Sequence, residues 1–335
     1  MRMKLLGIVS LVLLFAACDE NNTTGEENPL FKTEPALQGV TAEIKKHPEQ
    51  ANLYFERASI LDRLEMDTLA LKDYKKAISL DSTKAEYYSA IGDMLFEHKD
   101  VEASVGWLEK ALELNPDDKR AHMKLAKMFL FIKEYTKAFT EINTVLRQDV
   151  YNAEGYFLKG MIYKDMKDTA KAISNFQTAT QVGPDFREAV LQLGIMYSGK
   201  NDKLALQYYD KAFKMDSTDV FPLYGKGVYY QNREDYEQAK LEYINTIRQD
   251  RYYINAYYNI GYIYMQQDSL EKAMRQYDII TKLEPQNPEG YMNRGLCYEL
   301  MGKKDEAIID YRQALVFDEE YKDAKEGLAR LGAKQ

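Results

Sequence analysis

Between Tyr54 and Ala314 one pattern recurs eight times, at intervals of about 34 residues. A segment of that length can form a helical hairpin but cannot bury an apolar face alone, so it must stack on its neighbours. The column that defines the phase holds small residues: Ala58, Gly92, Ala126, Gly160, Gly194, Gly227, Gly261 and Gly295. All intervals are 34 except the 33 between Gly194 and Gly227, where a residue is missing from the turn before Ala205. Three residues beyond each small position stands a large one, Leu61, Leu95, Phe129, Tyr163, Tyr197, Tyr230, Tyr264 and Tyr298. That spacing puts both on one helical face.

Each repeat then carries a second helix. Its close-packing column is Ala70, Ser104, Ala138, Ala172, Ala205, Ala239, Ala273 and Ala307. Four residues on come Tyr74, Leu108, Ile142, Phe176, Tyr209, Tyr243, Tyr277 and Tyr311. A glycine inside a helix costs about 1 kcal/mol against alanine, so glycines held at one phase need a packing reason. The expectation is that the first-helix glycine faces the second-helix alanine. Pro116, Pro184 and Pro285 close several repeats, and Asp81-Ser82-Thr83 and Asp216-Ser217-Thr218 close others. The Asp-Ser/Thr turns resemble a bacterial O-glycosylation site, although helix capping accounts for the same residues.

The order aromatic, Leu-Gly, Tyr, Ala, aromatic, Ala, Pro resembles the tetratricopeptide repeat family over Ala51 to about Tyr321. Gly261 to Pro285 is among the nearest matches, and Gly92 through Leu108 among the loosest. His122, Ile142 and Val150 depart from the pattern. The resemblance implies an all-α, right-handed superhelical α-solenoid of helix-turn-helix repeats starting near residues 51, 85, 119, 153, 187, 220, 254 and 288. Residues 34–50 read as an N-terminal capping helix and residues 322–335 as a C-terminal one, since an open-ended stack needs polar ends.

The resemblance also implies where a ligand lies. First helices line the groove of such arrays through the residues three before and one after the small position. In the first three repeats these are Phe55 and Ser59, Ser89 and Asp93, Met123 and Lys127. In the last five they are apolar or aromatic: Phe157 and Met161, Leu191 and Ile195, Tyr224 and Val228, Tyr258 and Tyr262, Met292 and Leu296. These ten are the candidate peptide-binding residues, receiving an amphipathic helix or extended peptide. The alternative is that they thicken packing between neighbouring first helices. A clamp for a C-terminal carboxylate would need lysine at the first site and asparagine at the second, and no repeat has either there.

The N-terminus reads as a targeting segment. Met1–Ala17 has Arg2 and Lys4 before an apolar run too short to span a membrane. Phe-Ala-Ala-Cys at residues 15–18 resembles a bacterial lipobox, with Cys18 as the lipidated residue. Ordinary secretion is the competing reading. Residues 18–33 read as a flexible tether, with a reach of roughly 20 Å. Cys297, the other cysteine, reads as a buried thiol, so no disulfide framework is expected. Loss of Arg2 and Lys4 leaves 43 basic against 53 acidic residues, a net −10, which disfavours nucleic acid as a partner.

The three histidines share no metal-binding spacing with another ligand, and the sequence carries no hydrolase or phosphate-loop motif. The reading is therefore a non-catalytic scaffold without cofactor or metal, lipid-anchored in the bacterial cell envelope at the outer membrane and binding a protein or peptide. A self-assembling spacer and a substrate-delivery subunit are the alternatives. The oligomeric state is left unassigned.

Overall fold

The structure, a computed structural model, describes residues 28–334. The expected signal segment, the lipidation candidate Cys18 and the expected tether up to residue 27 lie outside the described residues. Every regular element among them is an α-helix. Short α1 (Leu30–Thr33) and α2 (Pro35–Lys46) precede the hairpins α3 (Ala51–Arg63)/α4 (Asp67–Leu80) and α5 (Ala85–Glu97)/α6 (Val101–Leu114). Next come α7 (Lys119–Phe131), α8 (Tyr135–Gln148), α9 (Ala153–Asp165), α10 (Thr169–Val182), α11 (Arg187–Gly199) and α12 (Leu204–Met215). The last are α13 (Phe221–Gln231), α14 (Tyr236–Gln249), α15 (Ile254–Gln266), α16 (Leu270–Leu283), α17 (Pro288–Leu300), α18 (Lys304–Phe317) and α19 (Lys322–Arg330). Two compact units result, one up to Met128 and one from Phe129, with the division inside α7.

Each unit is an α-solenoid built by sequential stacking. In the first, α3 packs on α4 and α5 on α6, with α2 against α3 and α4 against α5. In the second, the pairs α9/α10, α11/α12, α13/α14, α15/α16 and α17/α18 stack in order, with α8 on α9 and α19 on α18. The second-helix column from Ala70 to Ala307 is buried without exception, as are the large residues from Tyr74 to Tyr311 four positions on.

The glycine expectation needs correction. A Cβ at Gly261 would stand 2.8 Å from Cζ of Tyr277, and one at Gly194 2.8 Å from Cδ1 of Tyr209. The same holds for Gly160 with Phe176 and Gly227 with Tyr243. The glycine therefore makes room for the large ring four residues past the alanine. An alanine methyl is too short to demand a glycine opposite it, whereas a ring lying flat on the facing helix does.

The turn inside each repeat repeats a backbone conformation that the sequence hides. Seven residues past each small position stand Glu65, Lys99, Lys133, Lys167, Asn201, Glu234, Asp268 and Gly302, all with φ between 51° and 75°. The following N–H reaches back to the carbonyl of the large residue: Asp100 to Leu95 at 3.0 Å, Ser269 to Tyr264 at 2.8 Å, Lys303 to Tyr298 at 2.9 Å. This is a Schellman closure of the first helix. Asp100, Asp168 and Asp235 then cap the second helix, each accepting from a backbone N–H three residues on. Only Gly302 avoids the left-handed penalty, so Gly302→Val should destabilise its hairpin by about 1–2 kcal/mol. A urea midpoint equal to the parent's would refute that. Between repeats, Asp81 and Asp216 each accept from the N–H and hydroxyl of the threonine two residues on, the turn-closing role of these side chains.

The assignment of residues 18–33 to a tether also needs correction at its end. α1 is a helical turn, and Phe31 is buried against the core of α3 and α4. The guanidinium of Arg57 sits 4.3 Å from the centre of its ring. A lone phenylalanine in a polar stretch offers no periodicity by which to be found.

Candidate functional site

The first-helix columns of the second unit are mostly occupied with packing. Phe157 meets Phe186, the residue before α11, at 5.2 Å between ring centres, and Phe176 at 5.8 Å. Tyr224 repeats the arrangement with Tyr253, before α15, at 5.1 Å, and with Tyr243 at 5.6 Å. Tyr258 lies edge-on to Tyr277, 5.8 Å away. Leu191, Met161 and Ile195 pack on the cluster around Phe176 and Tyr209, and Val228 on that around Tyr243. Leu296 is half-buried and Met292 buried. Of the ten candidates only Tyr262 is exposed, at 41 %. The residue three before the small position therefore serves mainly as a wedge against the following repeat.

Two of these wedges, Tyr224 and Tyr258, also wall an open cleft of about 620 Å³ between α13, α15 and α17. Its floor includes Gly290, where a Cβ would come within 2.9 Å of Ile280. Its rim comes from the turns that precede α15 and α17, through Asp250, Tyr253 and Glu284, and from Glu289 in the first turn of α17. Sequence reasoning restricted to the helix columns missed these turn residues. Their signal was their place just before the first helices, repeated at 34-residue spacing in Asp250 and Glu284.

The polar groups of the cleft are ordered. Asn259 donates from Nδ2 to the hydroxyls of Tyr224 and Tyr243, both at 3.1 Å, which leaves its Oδ1 as an acceptor. Asn287 Nδ2 donates to Glu284 at 2.7 Å, and Asp250 accepts from the N–H of Tyr252 at 2.9 Å. Burial, then the neighbouring Tyr224 and two aspartates, pushes the Tyr253 phenol up to about 12. Burial and then the charge of Glu289 raise Tyr258 as well. These tyrosines stay neutral donors and aromatic surfaces throughout the physiological range.

The first unit has a cleft of its own, about 590 Å³, between α3, α5 and α7. Phe55, Ser89 and Asp93 line it, and Asp93 is paired with Lys124. Its charge is thus neutralised from within.

A second set of polar residues escaped the sequence reading. The position before the small residue is basic in four repeats. Arg57 binds Asp73, Lys226 binds Glu242 and Asp210, and Arg294 binds Asp310 and Asp278. Lys159 reaches Asn143 at 3.4 Å. In the later repeats these bonds join a first helix to its own second helix and to the previous one. The signal was a basic residue there with an acid three beyond the alanine. Cys297 is buried and free, its thiol pushed up to about 12 by burial, which agrees with a packing role.

Among the described residues no group of three or more His, Cys, Asp or Glu could hold a metal ion, and no helix is long and apolar enough to cross a membrane.

Profiles of the tetratricopeptide repeat match residues 51–84, 153–186 and 254–287, with others matching 68–119 and 288–321. DnaJ homolog subfamily C member 7 of Mus musculus is 24 % identical over 280 residues, 74 % of this chain and 56 % of that protein. DnaJ homolog subfamily C member 3 of the same species is 23 % identical over 329 residues, 88 % of this chain and 65 % of that one. The chain thus spans little more than half of the first relative and just under two thirds of the second. A tetratricopeptide repeat protein from Parabacteroides merdae shares the fold with a TM-score of 0.53 at 17 % identity, over 74 % of this chain and 98 % of that one. With helical hairpins stacked in order within each unit, glycines such as Gly160, Gly194, Gly227 and Gly261 set against rings on their partner helices, and the family's profile found in both units, the chain belongs to the tetratricopeptide repeat family.

Proposed function

We propose that this chain is a non-catalytic interaction scaffold of the bacterial cell envelope, attached at the outer membrane through lipid on Cys18. A peptide or helix of a partner protein lies along the first helices of the second unit. The observation that carries the reading is the cleft between Tyr224 and Tyr258, with exposed Tyr262 one helical turn beyond Tyr258 on α15. Helix packing leaves this space open while tying down the residues around it, which is the preorganisation a binding surface needs. The lipid attachment is supported by the basic start, short apolar run and Phe-Ala-Ala-Cys of residues 1–18.

A photo-crosslinking residue at Tyr262 tests the groove in intact cells, with one at outward-facing Ile309 as control. We expect a discrete adduct with another protein from position 262 alone. Equal adducts at both positions, or adducts only between copies of this chain, would remove the groove and favour the self-assembling spacer. Cys18→Ser should move the chain from the detergent to the aqueous phase of a detergent partition; unchanged partition excludes the lipid.

A further inference from the structure

The chemistry of the cleft in the second unit is one-sided. Three carboxylates reach it, from Asp250, Glu284 and Glu289, and no lysine or arginine lines it. None of the three forms an ion pair among the described residues. The basic groups nearby are already committed: Arg294 to Asp278 and Asp310, and Arg251 to the ring of Tyr252, itself a lining residue of the cleft, 4.6 Å from its centre. Both donors of the Asn259 amide are taken by tyrosine hydroxyls, so what it offers is its oxygen. The charged groups of this surface are all acceptors, and its donors are neutral hydroxyls and amides.

Its walls have an unused aromatic capacity. Elsewhere in the same unit tyrosines carry cations on their faces: Tyr264 lies under Lys240 and Lys272, and Tyr291 under Arg294. Of the four tyrosines lining the cleft, Tyr252 carries Arg251, whereas Tyr224, Tyr253 and Tyr258 carry no cation among the described residues. The corresponding cleft of the first unit differs, because Lys124 already neutralises Asp93.

From this complementarity we infer that the cleft between α13, α15 and α17 takes an arginine side chain of a partner segment, its guanidinium flat against the tyrosines and its N–H groups directed at the carboxylates and Asn259. A guanidinium has five donors, no acceptor, a positive charge and a plane that stacks, so it meets the carboxylates, the amide oxygen and the rings together, whereas a neutral side chain leaves the three carboxylates without a counter-charge. The space of about 620 Å³ admits that side chain with the backbone on either side of it. The inference rests on the scaffold reading and specifies its partner.

Calorimetric titration of the full chain with the peptide acetyl-Ala-Arg-Ala-Ala-Arg-Ala-amide tests it against the same peptide with glutamine for arginine. We expect binding of the arginine peptide and an affinity for the glutamine peptide lower by about tenfold. Glu284→Gln with Glu289→Gln should weaken the arginine peptide about fivefold. Asp305→Asn with Glu306→Gln removes the same charge from the exposed start of α18 and should leave affinity unchanged. All four positions are exposed or in turns, and circular dichroism checks that helicity is kept. Absence of binding, equal affinity for the two peptides, or equal loss in both double variants overturns the inference. So does an adduct at Tyr262 whose captured segment lacks arginine, a result that leaves the scaffold reading standing.

Discussion

Asp73→Ala should destabilise the first unit by about 3–5 kcal/mol, far more than a surface ion pair is worth. Arg57 is 1 % exposed and donates a two-pronged pair of hydrogen bonds to Asp73, Nε to Oδ2 at 2.5 Å and Nη2 to Oδ1 at 2.8 Å. Its Nη1 already lacks a partner, and one face of the guanidinium is covered by the Phe31 ring. Removing the carboxylate leaves a charge with neither water nor counterion. The eighth repeat supplies the control, because Arg294 has both Asp310 and Asp278 and is 18 % exposed. Asp310→Ala should therefore cost clearly less, since one carboxylate remains. Arg57→Met with Asp73→Leu, which removes both charges, should recover most of the loss. Urea unfolding of the three variants decides the matter. Equal losses for Asp73→Ala and Asp310→Ala would mean that solvent reaches Arg57 and that its burial is not what makes the pair costly to break.

The ion-pair column shows what a sequence of this kind yields and what it withholds. Helices, their pairing and their buried faces were legible because 34-residue spacing aligns eight independent copies, and the columns from Ala70 and Tyr74 onward are buried as that alignment implies. The left-handed turn was not legible: seven of its eight positions hold side chains that give no sign of it, and Gly302 alone would not define a column. The partner of each glycine was misjudged for a related reason. Spacing shows that Gly227 and Ala239 share a phase, but only the rotation of the second helix decides that Tyr243 covers the glycine. The candidate site suffered most. Whether Phe157 or Tyr258 points into a groove or into the next repeat depends on the rotation from one repeat to the next, which spacing along one chain does not contain. The cleft that does open is rimmed by inter-repeat turns, where the periodic signal is weakest.

The glycine–tyrosine pairing gives the second large effect. Tyr243 is fully buried, its ring lies where a Cβ on Gly227 would be, and its hydroxyl donates to Gln231 Oε1 at 2.8 Å while accepting from Asn259. Tyr243→Ala should cost about 3–5 kcal/mol, the loss expected for a large buried ring whose cavity cannot close. Tyr243→Phe keeps the ring and should cost only about 1 kcal/mol, the net worth of a hydrogen bond. Gly227→Ala is the informative partner. In the parent it forces the ring off its seat and should destabilise by about 1–3 kcal/mol. With the ring already gone, the same change removes a helix-interior glycine and should stabilise by about 1 kcal/mol. The sign of one substitution thus reverses with the residue facing it, and a double-mutant cycle in urea measures the coupling. If Gly227→Ala has the same effect in both backgrounds, the glycine is not there for the ring. The small-residue column that sets the register of the whole chain would then need another cause.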